Sequence, residues 1–513
     1  MQRSGHTEVA VIGGGFTGAA TALLVKRQRP DASVTIIERK PEFDRKVGES
    51  TAEVSSCFLA NVLGIGTWLG HEQLPKNGLR LWFANSPGQP LDDCVELGSR
   101  DQSKLPAYQI DRSKLDQHLL DLAADAGCQV LRPASVRRIE LGGRRANRLD
   151  IKRADSGGQL ALDADWVVDA SGRAALVARQ LGLLRQLDEH PTNALWARFR
   201  GMKDWDSFEL RRDHPRLGAA CRSQRAWSTN HLLGYGWWCW IIPLKGGDFS
   251  LGLVYDTRLY QPPAGERIGD RIREVVSGHP VGRELMSELE VVDNDSKAYS
   301  ALPYFSQRLA GDGWVLAGDA SGFLDPLYSP GLDYCSYTSS IAASLTCDAL
   351  RGDDTSARVA EYNAQFAQSY RLWFESLYKD KYHYLGDAEL MATAVLLDVA
   401  TYYAGPVRLV YGDTAGEFLK LPFNGVHGRV AAAFMSCYNR RLVAIARRRR
   451  EKGVYGMANS GWRLMFSGFE PNQRIAGVIA KAMLRWAKLE IRHFLLGFKS
   501  PTATPRVALE PQV

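Results

Sequence analysis

The sequence predicts an α/β protein in which a parallel sheet is interrupted by an inserted antiparallel sheet and is followed by a helical C-terminal region. Three observations predict this architecture: a β-α-β pattern with a glycine-rich turn at 8–38, two later apolar strands at 165–169 and 314–318, and a region rich in aromatic and β-branched residues at about 195–295. At 513 residues, the chain is long enough for two or three domains.

The first element is a strand at 8–12, followed by a glycine-rich turn, a helix and a second strand at 33–37. Gly13, Gly15 and Gly18 fit the G-x-G-x-x-G pattern, and Glu38 comes directly after the second strand. The glycines allow a tight turn, a close approach to a pyrophosphate and close packing of helix on sheet, and a carboxylate at Glu38 accepts hydrogen bonds from a ribose. The pattern predicts a dinucleotide site, and the alternative is a glycine-rich turn without a ligand.

The strand at 314–318 is followed by Asp319 and a predicted helix. With the strand and turn at 165–173, this Gly-Asp-Ala-Ser-Gly segment resembles the second FAD motif of the p-hydroxybenzoate hydroxylase superfamily. The resemblance implies that Asp319 meets the flavin-side ribose or ribityl chain and that Arg112, in the segment 108–116, lies near the pyrophosphate. The alternatives are a helix-capping Asp319 and a surface Arg112.

Trp238, Trp240 and Ile242 alternate along a predicted strand that ends at Pro243, so that they share one face. Such alternation is also typical of ordinary sheet core. Inside an FAD framework, however, Trp-x-Trp-x-Ile-Pro resembles the signature of flavin-dependent halogenases. In that family the tryptophans separate the substrate from the flavin.

The resemblance covers about residues 8–350 in ordered motifs and the C-terminal part more loosely. It implies a Rossmann-type FAD-binding domain with an inserted antiparallel substrate sheet and a helical C-terminal subdomain. The predicted boundaries are 1–195 and 296–350 for the FAD-binding domain, 196–295 for the substrate sheet and 351–513 for the helical, basic subdomain.

Lys76 precedes an alternating strand and follows the Gly-Glu-Ser-Thr segment at 48–51, which is where flavin-dependent halogenases carry their essential lysine. The resemblance implies that reduced FAD, dioxygen and halide give hypohalous acid, and that Lys76 holds this oxidant beside one carbon of the substrate or becomes a haloamine. Burial favours the second route, because it lowers the pKa of a lysine. The alternative is a solvated lysine at a strand end.

The segment 322–332 resembles the stretch of these halogenases in which backbone amides hold the halide, which assigns that role to Ser329 and Gly331. Two residues depart from the family pattern. Pro330 has no amide hydrogen, and Tyr328 replaces the glutamate of tryptophan halogenases, which makes free tryptophan a less expected substrate. Tyr328 is equally well explained as a core aromatic residue.

Charge is concentrated near the C-terminus, where residues 429–513 hold 16 Lys and Arg against four Asp and Glu. Helices are predicted at 430–452 and 475–498, and the tail 501–513 is predicted to be loose. This excess of positive charge, which includes the arginines at 447–450, suggests an acidic partner, either an acyl carrier protein or an anionic membrane surface. The alternative is a solvated face, and the motifs do not call for nucleic acid.

The eight cysteines include no C-x-x-C pair, and the histidines, His231 among them, lack the spacing of metal ligands or of a catalytic triad. We therefore predict no metal site and interpret the histidines as surface or core residues. No apolar run reaches a membrane-spanning length, and no signal region precedes the first strand. These features predict a cytoplasmic protein that associates at most peripherally with a membrane.

The favoured function is FADH2-dependent halogenation, with chloride or bromide, of an electron-rich aromatic or related unsaturated substrate, free or carrier-bound. A separate NAD(P)H-dependent flavin reductase is expected, since no second nucleotide motif is present. The main alternative is a flavin monooxygenase, and a third is a non-catalytic flavoprotein that binds a carrier protein or membrane complex. The sequence leaves the substrate, the preferred halide and the oligomeric state open.

Overall fold

The computed structural model describes residues 5–469 and 475–496. The chain forms two eight-stranded sheets, two smaller sheets and a helical C-terminal region. The first sheet is built on five parallel strands, to which three antiparallel strands are added. Its strands are Gln129–Leu131, Val34–Ile37, Gly5–Ile12, Gln159–Asp169, Trp314–Leu316, Ala310–Gly311, Asn147–Arg153 and Ala134–Leu141.

The β-α-β unit predicted at the start of the chain is confirmed. Gly5–Ile12 pairs in parallel with Val34–Ile37, and the helix Phe16–Gln28 connects them. The strand Val34–Ile37 is buried throughout, as a parallel strand covered on both faces must be. After Trp314–Leu316, a short 3₁₀ turn, Gly318–Ala320, takes the place where the sequence predicts a helix, and the long helix starts only at Pro330.

The second sheet has the tryptophan strand near its centre. Its strands, in spatial order, are Glu290–Tyr299, Thr192–Arg200, Phe249–Asp256, Trp237–Pro243, Thr229–Gly234, Leu79–Phe83, Val95–Ser99 and Arg463–Phe466. The last three lie outside the range 196–295 that the sequence predicts for this sheet. Two of its pairings are parallel, Thr229–Gly234 with Leu79–Phe83 and Arg463–Phe466 with Val95–Ser99.

The two smaller sheets connect these layers. One contains Leu184–Gln186, Tyr304–Ser306 and Gly322–Phe323, and the other pairs Leu74–Pro75 with Tyr108–Gln109. The second of these pairings fixes the backbone just before Lys76, whose amide donates to Ala107 O at 2.8 Å.

The helices before residue 352 surround the sheets, and those after it form the C-terminal region. The α-helices of the first group are Phe16–Gln28, Glu53–Cys57, Gly66–Glu72, Arg112–Asp125, Leu176–Gln180, Phe208–Asp213, Pro215–Ala220, Ile268–Ser277, Pro280–Leu285 and Pro330–Arg351; those of the second are Ser356–Trp373, Ala388–Tyr402, Arg408–Gly412, Thr414–Glu417, Gly425–Glu451 and Ile475–Leu496. Short π-helical segments, Phe58–Val62, Phe374–Tyr378 and Tyr403–Val407, continue three of them.

The helical character predicted from 351 onward is confirmed. The predicted helix at 430–452 is present as Gly425–Glu451, and the next as Ile475–Leu496. The expected end of the last helix at 498 and the tail 501–513 lie outside the described residues.

One helical stretch, Ala388–Gly412, is long and apolar enough to cross a membrane by length and composition. Within its most apolar window, however, 67% of the residues are buried inside the protein. A core helix of a folded domain passes the same test, so this stretch is weak evidence for a membrane span.

Candidate active site

The glycine-rich turn connects the first strand to the helix Phe16–Gln28. Gly13 has a φ of +99°, and a Cβ atom there would lie 2.5 Å from Ala170 O. A Cβ atom at Gly18 would lie 1.9 Å from Gly13 O, so that helix and turn could not pack as they do. Beyond Gly15, the first amides of the helix have no partner within it and are available to an anion.

Glu38 closes the turn from the neighbouring strand. Its carboxylate accepts hydrogen bonds from the Gly14 amide at 2.8 Å and from the Lys40 amide at 2.9 Å. The predicted ribose acceptor is therefore held in place by the backbone, and each of its oxygens keeps a lone pair for a ligand.

Arg112 is buried close to this turn. Its guanidinium donates to both oxygens of Asp116, at 3.0 and 3.3 Å, and Lys46 also pairs with this carboxylate. Burial opposes ionisation of Asp116, but the charges of Arg112 and Lys46 outweigh it and lower the pKa of Asp116. Two cations thus share one carboxylate. One positive charge is left uncompensated and is available to bind a phosphate.

Asp319 follows the parallel strand Trp314–Leu316. Among residues 5–469 and 475–496, no group donates a hydrogen bond to its carboxylate, and burial raises its pKa despite the nearby charge of Arg112. An unpaired and partly buried carboxylate needs a donor from a ligand, and a ribose or ribityl hydroxyl supplies one.

Apart from Glu38, these groups contribute to one continuous space, the first cavity. It runs from Gly15 past Arg112 and Asp319 to Trp238 and Gly331. The orphan helix amides, the shared cations and the unpaired carboxylate fit the FAD that the sequence resemblance implies.

The tryptophan strand Trp237–Pro243 forms one wall of the first cavity. Trp238, Trp240 and Ile242 all line it, and the two indole rings are 5.8 Å apart at an interplanar angle of 49°. Gly252, opposite Trp240 on the next strand, leaves room for the indole, since a Cβ atom there would lie 2.0 Å from the ring. The predicted shared face is confirmed.

Lys76 lies in a second cavity, which is lined largely by aromatic and aliphatic side chains. The side chain is 5% exposed, and its Nζ donates to Thr51 O at 2.7 Å. Burial lowers the pKa of Lys76 to about 8, against the opposing charges of Glu53 and Asp333. The structure thus excludes the solvated strand-end interpretation, because the lysine is buried and its amine is partly activated.

The two cavities share two backbone segments. Residues 48–50 line the first cavity, whereas Ala52 and Glu53 line the second. In the segment 326–331, Ser329 and Gly331 face the first cavity, whereas Tyr328 faces the second. Neither Trp238 nor Trp240 is among the described residues that line the second cavity, so these two segments form the wall between the spaces.

The segment 326–331 corrects one sequence prediction. The amide of Ser329 donates to Pro326 O at 3.0 Å, so it is not available to a halide in this conformation. The amides of Gly331 and Leu332 lie in the first turn of the helix Pro330–Arg351, where helical partners are lacking, and both residues line the first cavity. Leu332 is a candidate donor that the sequence analysis missed.

Tyr328 is held by a buried polar group in the wall of the second cavity. Its hydroxyl donates to Asp398 at 3.0 Å, and Asp398 also accepts hydrogen bonds from Lys381 at 2.7 Å and Tyr438 at 2.5 Å. Tyr328 and Ser329 both have positive φ angles, 72° and 62°, which are unusual for residues with side chains.

Two further features of the site escaped sequence reasoning. His231 lines the first cavity, where burial, with the charge of Lys76, lowers its pKa to about 3 and keeps it neutral. A buried chain runs from Trp238 Nε1 to the Tyr382 hydroxyl, 2.9 Å, and on to Asp325, also 2.9 Å. One signal could have indicated His231, namely its place in a strand, where it lies opposite Trp240 on the tryptophan strand.

The arginines at 447–450 are partly used inside the protein. Arg449 donates to both oxygens of Asp387 at 2.8 Å, and Arg450 lies 3.8 Å above the ring of Tyr235. The exposed basic residues Lys481 and Lys488 lie on the last helix instead. Part of the positive charge near the C-terminus is therefore already compensated inside the protein and is not available to an acidic partner.

Comparison with known proteins identifies the family of this chain. The family model for tryptophan halogenases matches residues 95–383. Relatives include the flavin-dependent halogenase chlA of Dictyostelium discoideum, 25% identical over 78% of this chain and 70% of the relative, and tryptophan 2-halogenase of Chondromyces crocatus, 27% identical over 82% and 80%. The 1H-pyrrole-2-carbonyl-[peptidyl-carrier protein] chlorinase of Pseudomonas fluorescens is 25% identical over 72% and 82%.

A solved structure has the same fold. The halogenase PltM in complex with phloroglucinol and FAD superimposes with a TM-score of 0.71 at 17% identity, over 94% of this chain and 96% of that chain.

Proposed function

Because this chain belongs to the tryptophan halogenase family and is therefore a flavin-dependent enzyme, we propose that it halogenates an electron-rich aromatic substrate in the second cavity. The reaction uses reduced FAD, dioxygen and chloride or bromide, and it proceeds through hypohalous acid and Lys76. The observation that carries this proposal is the position of Lys76, buried in a second cavity that shares two backbone segments with the first.

The first cavity holds the cofactor. The amides after Gly15 and the cation of Arg112 bind the pyrophosphate, Glu38 accepts from the ribose, and Asp319 accepts from a hydroxyl on the flavin side. Bound reduced FAD supplies, with dioxygen and halide, the oxidant hypohalous acid. Trp238 and Trp240 form an apolar wall that excludes water from this space. The segments 48–53 and 326–331, and not the two tryptophans, separate it from the substrate cavity.

The halide is held where the helix Pro330–Arg351 begins. We assign its donors to the amides of Gly331 and Leu332, because that of Ser329 is already used and Pro330 has none. The positive end of a 22-residue helix adds to the attraction of an anion.

Lys76 positions the oxidant on the substrate side. With a pKa of about 8, its side chain is mostly an ammonium at neutral pH and donates a hydrogen bond to the oxygen of hypohalous acid. Holding a small, indiscriminate oxidant beside one carbon gives regioselectivity. The neutral fraction, which grows as the pH rises, is the form that can become a haloamine.

The partners follow from the same chemistry. We propose a separate flavin reductase as the source of FADH2, and a small aromatic substrate, with a carrier-bound one as the alternative. The relative from Pseudomonas fluorescens, named for a carrier-bound substrate, supports that alternative. An acyl carrier protein or anionic membrane surface at the last helix, and a cytoplasmic location, remain predictions from charge and cysteine pattern.

A flavin monooxygenase is the rival function, and the relatives, which are named as halogenases, do not favour it. A turnover assay with FAD, a flavin reductase, NADH and oxygen, run with and without bromide or chloride, separates the two. Halide-dependent isotope doublets in the mass spectrum of an aromatic product are expected, and halide-independent oxygen insertion would overturn the proposal.

Lys76→Ala tests the role of the lysine. We expect retained FAD binding and peroxide release without halogenated product, whereas the exposed-residue control Lys114→Ala keeps normal turnover. Regioselective halogenation by Lys76→Ala at the normal rate would refute the assignment.

A further inference from the structure

The second cavity carries an unusual balance of charge. Among the residues that the structure describes, Lys76 is the one basic side chain lining it, whereas Glu53, Asp333 and Asp398 all contribute carboxylates. The rest of the lining is mainly aromatic and aliphatic. The charges therefore select among aromatic ligands of similar shape.

One of the three carboxylates is already compensated. Asp398 is paired with the buried ammonium of Lys381 at 2.7 Å and also accepts from Tyr328 and Tyr438. A charge satisfied in this way contributes little to the recognition of a ligand.

The other two carboxylates are bound only by neutral donors. Asp333 accepts from the Ser55 amide at 2.9 Å and from the Tyr402 hydroxyl at 2.8 Å. Glu53 accepts from the Tyr403 hydroxyl at 2.7 Å, and no described residue donates to its other oxygen. Asp333 and Glu53 together carry two negative charges against the single positive charge of Lys76.

From this imbalance we propose that the substrate of the second cavity is an electron-rich arene that carries an amine and no carboxylate. An ammonium group completes the charge balance with Glu53 and Asp333. A ligand carboxylate adds a third negative charge to a mostly apolar space, where like charges repel strongly. The inference deepens the proposed function and rests on it for the assignment of this cavity to the substrate.

The same geometry weighs against a substrate that depends on carboxylate recognition. Anionic groups are normally bound by arginine or by clusters of amides, and no arginine is found among the described lining residues. Lys76 cannot serve as the anion anchor without leaving the oxidant unbound.

A matched set of three indoles tests the proposal. Tryptamine, 3-ethylindole and indole-3-propionate share ring and chain shape and differ in charge. Binding to the FAD-loaded enzyme is measured by isothermal titration calorimetry, and halide-dependent product by mass spectrometry. We expect tryptamine to bind at least about 100-fold more tightly than indole-3-propionate, with 3-ethylindole between them.

Glu53→Gln removes one charge while keeping an acceptor for Tyr403, and we expect it to reduce the ratio of tryptamine to indole-3-propionate affinity by about 10-fold. Glu361→Gln, the same change at an exposed helix position, should leave the ratio unchanged. Equal or tighter binding of indole-3-propionate, no binding of tryptamine at millimolar concentration, or an unchanged ratio in Glu53→Gln would each overturn the proposal. The expected binding order without halide-dependent product would support the charge selection and count against halogenation.

Discussion

A buried ion pair in the wall of the second cavity gives the sharpest test of the structure. Lys381 and Asp398 are 1% and 3% exposed, and their Nζ and Oδ2 atoms are 2.7 Å apart. The ammonium also lies 5.3 Å from the ring centre of Tyr328. Asp398→Asn removes the anion and leaves a buried cation without a charged partner.

The magnitude follows from the burial of both groups. Removing one partner of a buried pair costs about 3–5 kcal/mol, because the remaining charge is desolvated without compensation. The hydroxyls of Tyr328 and Tyr438 also lose a charged acceptor. We therefore expect the free energy of unfolding to fall by about 3–5 kcal/mol in Asp398→Asn.

A second variant separates charge from shape. The double variant Asp398→Asn/Lys381→Met removes both charges at similar volume and is expected to recover most of the loss, to within about 1 kcal/mol of the parent. As a control, Asp213→Asn breaks an exposed pair with Arg212 and should leave the free energy of unfolding unchanged within error.

Urea unfolding followed by circular dichroism and tryptophan fluorescence measures these differences. Two results would refute the reasoning that Asp398→Asn leaves the charge of Lys381 uncompensated. One is a loss of stability below about 1 kcal/mol in Asp398→Asn, and the other is a double variant that is no more stable than this single variant.

Two further predictions concern catalysis. Lys76 is protonated below its pKa of about 8. Because the ammonium donor is lost above that pH, kcat/KM for halogenation should fall there by about tenfold per pH unit. A rate that rises through pH 8 would instead identify the neutral amine as the active form. Tyr382→Phe breaks the hydrogen bonds to Trp238 and Asp325 and should cost about 1–3 kcal/mol of stability and increase the ratio of released peroxide to halogenated product. Tyr411→Phe is the control, because the hydroxyl of Tyr411 is buried without a partner in the described part of the chain. An unchanged ratio in Tyr382→Phe would show that the Tyr382 hydroxyl does not position Trp238.

The parts of the fold that the sequence predicts correctly are those set by local rules. The first strand, the turn at Gly13 and the following helix are specified by an apolar run and by glycines whose missing side chains permit close contact. The tryptophan strand is specified by alternation and by Pro243. The role assigned to Lys76, in contrast, rests on the place of its segment in a family pattern and not on the residues around it.

The parts that sequence reasoning missed depend on contacts between distant positions. Nothing in the local sequence indicates that the second sheet includes the strands at 79–83, 95–99 and 463–466. Trp238 and Tyr382 are 144 residues apart, and Arg449 and Asp387 are 62 apart. A charge count gives the excess near the C-terminus but not which arginines are paired inside the protein.

The wall between the cavities explains why the departures from the family pattern at 328–330 need not disable the site. In the proposed halide site, the amide of Gly331 is retained and that of Leu332 takes the place of the Ser329 amide. Tyr328 and Ser329 both have positive φ, and Tyr328 faces the second cavity whereas Ser329 faces the first. Such backbone strain persists where surrounding structure holds it. Asp333 provides that support, since its carboxylate accepts from the Ser55 amide and so ties the helix after 326–331 to the helix after 48–53. The distance from the proposed halide donors to Lys76 is therefore set by two short segments joined through one buried carboxylate.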